Sequence, residues 1–242
     1  MKVTDPRTSV IAQRLKRIRR IIAVSSGKGG VGKSLIATTL ALSLARGGCK
    51  VGLLDLDFTS PSTHLILGAK DAQPTEDKGL IPPKVEGLEY MSLIYYSGDE
   101  AAPLRGADTS NALIELLAVT LWGDLDFLII DSPPGIGDAM LDLVRLVPRI
   151  EFLIVTTPSQ LAFETVKKQI RLLQELKIPI VGIVENMKMT KGKMVQEQTQ
   201  SLGVKFLTEI PYDSAVEAAI GSPDKLLATE IAKKVQILAK RV

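Results

Sequence analysis

The stretch SSGKGGVGKS at residues 25–34 restricts the fold of this chain more than any other segment of its length. Gly27, four intervening residues, then Gly32, Lys33 and Ser34 fit the pattern G-x-x-x-x-G-K-[ST]. The setting matches as well: the apolar run RIIAVSS leads into the loop, and the helical run KSLIATTLALSLAR leaves it. Glycines let the backbone curl until successive N–H groups face one anion, and the helix N-terminus adds positive potential. Lys33 then reaches the outer phosphates of a nucleotide, and the Ser34 hydroxyl is a ligand for Mg²⁺. Such a loop needs a buried strand on one side and a helix packed against the sheet on the other.

The rest of the sequence supplies both. Further apolar runs, KVGLLDLD, LEYMSLIYY, DFLIIDS, EFLIVTT, IPIVGIVEN and VKFLTEIP, read as buried strands. Amphipathic patterns at 33–46, about 109–121, 138–147, 160–176 and 194–202 read as helices, and two more helices close the chain. Alternation of this kind predicts an α/β fold with a mostly parallel sheet and helices on both faces, its ligands held at the carboxyl ends of the strands. The segment 68–87, rich in Pro, Gly and charge, reads as a mobile surface loop.

We divide the chain into a basic amphipathic helix over 1–19 and a single nucleotide-hydrolysing domain over 20–242. Most of the first twenty residues' charge is basic, with Lys2, Arg7, Arg14, Lys16, Arg17, Arg19 and Arg20 set against Asp5, so the remainder is net acidic. The stripe Ile11, Leu15 and Ile18 between those cations suggests a short helix, either docked on the body or offered to a partner. Cys49 is the single cysteine, which excludes an internal disulfide and suits a reducing cytoplasm. No apolar run approaches the roughly 20 residues of a membrane span, and no secretory signal is present.

Hydrolysis of a nucleotide needs a metal and an oriented water, hence carboxylates near the loop. Asp55, Asp57 and Asp131 each end an apolar run, where a parallel sheet presents its functional groups. Asp131 with Ser34 and Asp55 is expected to hold Mg²⁺, while Asp57 orients the water. A guanine site of the usual kind would carry N-K-x-D; here VENMKM offers Asn186 without that lysine and aspartate, so ATP is the expected nucleotide.

At this point the motifs SGKGGVGKS, VGLLDLDFTSPS, LRG, WGDLDFLIIDSPPGIGD, VTTPSQLAFETVKK, VENM and EIPYD together resemble the deviant-Walker P-loop ATPases typified by Mrp and MinD, over residues 20 to the end. The resemblance implies a nucleotide site of Gly27, Lys28, Gly29, Gly30, Val31, Gly32, Lys33, Ser34 and Leu35, with Asn186, Pro211 and Asp213 around adenine. It also implies a homodimer formed on ATP binding, in which Lys28 reaches the partner's nucleotide much as an arginine finger does. Lys28, Lys33 and Asp57 are then the catalytic set. Asp57 belongs to a first switch, and Asp131 with SPPGIGD to a second.

Iron–sulfur carriers of the Mrp branch have a C-x-x-C pair shortly after VENM; here the segment VENMKMTKGKMVQEQTQSLG has no cysteine. That departure makes the chain resemble the ATPase-type HypB proteins, so nickel insertion with HypA, docked on the N-terminal helix at Arg14 and Arg17, is the expected function. His64, the single histidine, follows the first switch and could touch a passing metal. The alternatives are an iron–sulfur assembly factor without its own cysteine pair, pairing with a cysteine-bearing homologue, and a positioning ATPase of the MinD or ParA type. The last would use the stripe Ile231, Val235 and Leu238 on a lipid surface; neither nucleic acid nor a membrane is the expected partner.

Overall fold

The computed structural model describes residues 5–58, 60–69, 71–97, 107–189 and 191–242. The motif LRG at 104–106, Lys2 and the Thr59 of VGLLDLDFTSPS lie outside the described residues. Numbered along the chain, the strands are β1 (Ile18–Ser26), β2 (Val51–Asp55), β3 (Thr75–Glu76), β4 (Leu80–Ile81), β5 (Lys84–Val85), β6 (Leu88–Ser92), β7 (Leu125–Asp131), β8 (Ile150–Thr156), β9 (Ile180–Lys188) and β10 (Phe206–Pro211). The helices are α1 (Arg7–Leu15), α2 (Lys33–Arg46), α3 (Thr63–Leu67), α4 (Ile94–Ser97), α5 (Ala107–Val119), α6 (Asp138–Leu146), α7 (Gln160–Glu175), α8 (Met194–Ser201), α9 (Pro223–Leu227) and α10 (Glu230–Ala239).

One sheet runs in the order β10-β9-β8-β1-β7-β2-β6-β5, parallel except where the edge strand β5 pairs with β6. β3 and β4 form a separate antiparallel ribbon. β1 lies inside this order, between β7 and β8, which is why its apolar run is nearly unbroken. Its side chains alternate between two cores. Ile21 and Ala23 face one with α1, α5, α6 and α7, while Ile22 and Val24 face the other with α2, α3 and α10. The fold is thus the expected α/β sheet covered on both faces, and β1 delivers the loop at 27–32 to its carboxyl-end rim.

Several local expectations are corrected. The helix read over 1–19 ends at Leu15, and Ile18, Arg19 and Arg20 already belong to β1. Ile11, Leu15 and Ile18 are at most 1% exposed and pack in the first core, so that stripe faces inward. Segment 88–96 is a strand only to Ser92; Ile94–Ser97 turns helical. The 68–87 segment is anchored: Leu80 is buried and its carbonyl accepts the Leu121 N–H at 2.8 Å. At the other end of the chain, Ile231, Val235 and Leu238 are at most 3% exposed because α10 packs on α2, so they cannot rest on lipid. No helix among the described residues is long and apolar enough to cross a membrane.

Candidate nucleotide site

The loop leaving β1 is shaped by its glycines. Gly32, at φ +81°, caps α2 in a left-handed conformation, and a Cβ there would fall 2.3 Å from Asn186 Nδ2. Only glycine fits. That same Nδ2 donates to the Val31 carbonyl at 2.9 Å, so β9 fixes the loop from the side. Gly29 and Gly30 face open space, leaving the cradle clear for a ligand. The cleft above it, about 560 Å³, is lined by Gly29, Gly30, Gly32, Lys33, Ser34, Leu35, Asp57 and Pro134 among others.

Beneath the cradle the charges converge. Lys33 Nζ lies 2.5 Å from Asp131 Oδ1 and 3.5 Å from Asp57 Oδ2, with all three side chains at most 10% exposed. Asp55 and Asp131 are register partners on neighbouring strands, which explains how carboxylates 76 positions apart in the sequence meet. Burial pushes the Asp131 carboxyl up to about 7, with Lys33 pulling the other way. Burial likewise raises Asp55, opposed by hydrogen bonds from Thr63 and Asp57. Asp131 Oδ2 is buried without a hydrogen-bond partner among the described residues.

That orphaned oxygen, with the Ser34 hydroxyl beside Lys33, is the observation that tests the implied Mg²⁺. Hard oxygen donors next to a phosphate cradle suit it. Asp55 differs from the other expected ligand residues, since both its oxygens already accept hydrogen bonds from the segment that follows it. Lys28 is exposed at the loop's outer edge, its carbonyl accepting the Ser26 hydroxyl at 2.9 Å.

A second recess, about 230 Å³, adjoins the first and contains Leu35, Asn186, Met187, Pro211, Tyr212 and Asp213. The residues expected around adenine therefore come together. Asp213 takes part through the chain rather than its carboxylate, whose oxygens cap the turn at Ser214–Ala219 and the start of α10. Residues the sequence did not single out here are Tyr212, exposed at the mouth, and Ile220, which lines both recesses. Near Ile220 two glycines meet: Gly221 N–H donates to Ile66 of α3 at 3.2 Å, and a Cβ on Gly68 would fall 2.6 Å from the Gly221 carbonyl. A larger cleft of about 640 Å³ between α5 and the β3–β4 ribbon lies apart from this site.

A family model described as ParA, NUBPL iron-transfer P-loop NTPase, matches residues 17–242. The chain belongs to this family. As a P-loop NTPase of the ParA/NUBPL kind it resembles an iron–sulfur cluster carrier protein of Salmonella typhimurium, 46% identical over 175 residues, or 71% of this chain and 47% of the relative. The chain spans about half the length of that relative. An iron–sulfur cluster carrier protein of Methanocaldococcus jannaschii is 35% identical over 260 residues, covering 100% of this chain and 90% of its own length. Among solved structures, the nucleotide-binding protein of Archaeoglobus fulgidus in complex with ADP matches with a TM-score of 0.75 at 31% identity, over 95% of this chain and 92% of that one.

These relatives correct the functional expectation. They are iron–sulfur cluster carriers by name, which overturns nickel insertion with HypA and the likeness to HypB. The structure also takes the apolar stripe of that helix out of the docking argument. Arg14 donates to the Ala118 carbonyl at 3.2 Å, Arg17 pairs with Asp124 at 2.9 Å, and the apolar stripe between them is core. His64 is 8% exposed on α3, and no group of three or more His, Cys, Asp or Glu arranged to hold a metal ion occurs among the described residues.

Proposed function

We propose that this protein is an ATP-hydrolysing, Mg²⁺-dependent dimeric switch that serves iron–sulfur cluster assembly without itself ligating the cluster through a cysteine pair. The observation that carries it is the ion-paired Lys33 and the orphaned Asp131 oxygen beneath a P-loop, in a chain matched from end to end by a named cluster carrier. Lys33 binds the outer phosphates, the backbone from Gly27 to Gly32 cradles them, and the recess with Asn186, Pro211 and Asp213 takes adenine. Asn186 Nδ2 is committed to Val31, which leaves its Oδ1 to accept from the adenine amino group. Ser34 and Asp131 would hold Mg²⁺, which when bound neutralises charge on the phosphates. Asp57 at the cleft wall orients the attacking water.

Exposed Lys28 is placed to serve a second copy of the chain. A cation inserted from the partner stabilises charge developing on the phosphates and couples hydrolysis to closure of the dimer. Lys28→Ala should then spare nucleotide affinity while lowering turnover by roughly 10²-fold or more; steady-state ATPase rates and an ADP titration check this. Equal rates in the two proteins would remove the trans role.

With Cys49 alone, half-buried between α2 and β2, this chain cannot supply the thiolates of a cluster from one neighbouring pair. A cysteine-bearing relative is the partner that could hold it. The test is anaerobic loading with iron and sulfide of this chain, of a cysteine-bearing carrier, and of the two mixed, followed by cluster transfer to an apo-ferredoxin with and without Mg-ATP. The expected result is no stable cluster on this chain alone and ATP-dependent stimulation of transfer in the mixture. No stimulation in the mixture would remove the assembly role.

A further inference from the structure

At the buried end of β2 lies a chain of hydrogen bonds that phosphate binding alone does not require. Asp55, 1% exposed, accepts the Asp57 N–H on Oδ1 at 3.0 Å; on Oδ2 it accepts the Thr63 N–H at 3.2 Å and the Thr63 hydroxyl at 2.6 Å. The Thr63 hydroxyl in turn lies 2.9 Å from the Tyr90 phenol oxygen. A threonine hydroxyl has one proton, so with that proton given to Asp55 it accepts from Tyr90. Tyr90 and Thr63 are fully buried, and Tyr90 stands on β6, the strand beside β2. These bonds therefore tie Asp57 and Thr63 to two adjacent strands of the sheet.

Asp55 thus holds two points of the chain that follows it. Those points, the N–H of Asp57 and the start of α3, meet on one carboxylate. The far end of α3 is held separately, where the Ile66 carbonyl accepts the Gly221 N–H. Hydroxyl-bearing residues whose polar atoms are buried need partners, and here each finds its partner in the next member of the chain.

We propose that Asp55, Thr63 and Tyr90 form a clasp that holds Asp57 at the wall of the nucleotide cleft, with Thr63 and Tyr90 acting as positioning residues for hydrolysis. The proposal rests on the reading of Asp57 as the group that orients water. Thr63→Val preserves side-chain volume and the backbone N–H bond to Asp55 Oδ2 but removes the hydroxyl that joins Asp55 to Tyr90, so the loop loses its middle link. Displacing a catalytic group slightly is enough to slow chemistry while leaving distant binding contacts intact.

The experiment compares kcat for ATP, Kd for Mg-ADP and amide hydrogen exchange in the wild type, Thr63→Val, Thr63→Ser, Tyr90→Phe and Asp57→Ala. Thr63→Val should lower kcat by roughly ten-fold or more, leave the Mg-ADP Kd nearly unchanged, and speed exchange at the Asp57 and Thr63 amides. Thr63→Ser, which restores the hydroxyl, should recover most of the rate. Tyr90→Phe, which removes only the outer link, should show a smaller loss in the same direction and stands in if Thr63→Val does not fold. Native kcat in both Thr63→Val and Tyr90→Phe would overturn the clasp, as would a loss of rate matched by an equal loss of Mg-ADP affinity. If Asp57→Ala alone retains the native rate, the water-orienting role it rests on has failed, and the proposal falls for that separate reason.

Discussion

Two regions of this protein carry dense charge, the rim beneath the phosphate loop and the helix that opens the chain, and they use it in opposite ways. At the rim, Lys33, Asp57 and Asp131 are withdrawn from water and converge on one cleft, with Asp131 Oδ2 lacking a hydrogen-bond partner among the described residues. Along the opening segment the cations are dispersed: Arg7 onto Asp5, Arg14 onto a backbone carbonyl, Arg17 onto Asp124 and Arg20 onto Glu151. These four find their counterparts inside the chain, while Lys16 and Arg19 lie exposed on its surface. Charge that converges, is desolvated and stays incompletely satisfied marks a binding site; charge satisfied pair by pair marks a surface.

The comparison breaks most sharply at Lys33. Lys33→Ala should lower kcat/KM for ATP by roughly 10²- to 10³-fold, the usual cost of losing a group aimed at developing charge, and should also lower the melting temperature, because Asp131 is left buried without its cation. Coupled-enzyme kinetics and a melting curve check both halves. A mutant that unfolds without losing specific activity would reverse the roles assigned to the two regions.

Leu15→Ala reports on the other region. With its side chain 1% exposed in the first core, truncation should cost about 2–5 kcal/mol of unfolding free energy. The folded fraction should keep its native ATPase rate. Urea denaturation alongside activity measures this, and a native unfolding midpoint would mean that α1 is detached from the core after all.

A smaller effect follows from pH. The Asp131 carboxyl is raised to about 7 in the folded protein, against a usual value of 3.8. A carboxyl raised by folding binds its proton more tightly in the native state, so its contribution stabilises the fold at low pH and is lost as pH rises through about 7. Nucleotide-free wild type should therefore gain stability, of order 1 kcal/mol, relative to Asp131→Asn between pH 7.5 and pH 5.5. Parallel denaturation curves for the two proteins at both pH values would remove the effect.

The smallest effect is expected at Arg17. Its pair with Asp124 is 71% and 61% exposed, so Arg17→Ala should change stability by no more than about 0.5 kcal/mol and leave ATPase activity alone. A large activity loss would show that the opening helix communicates with the rim.

The same contrast explains what the sequence made legible. The phosphate loop was readable because its chemistry is local: glycines, lysine and serine act within ten residues, and the helix read at 33–46 coincides with α2. The strands were readable because burial on both faces leaves continuous apolar runs. α3 was not, since five residues are too few to display a helical period. Nor could the partners of Asp55 be seen, because Thr63 is brought back by a turn and Tyr90 by strand pairing across β2 and β6. The stripe Ile11, Leu15 and Ile18 was visible, but periodicity tells that a face is apolar and not what covers it. Cys49 was similarly visible, while the missing cysteine pair pointed toward nickel when the relatives point toward iron–sulfur clusters.

The contact between Gly68 and Gly221 sets a limit on how this protein can diverge. Gly68, at φ +66°, sits where any side chain would meet the Gly221 carbonyl, and Gly221 is bonded back to Ile66. The wall that carries α3 and the wall of the recess with Asn186 and Pro211 thus share one tight joint. A lineage that replaces Gly68 must move Gly221 and with it Ile220, which lines both recesses, so the two walls are free to drift only as a pair.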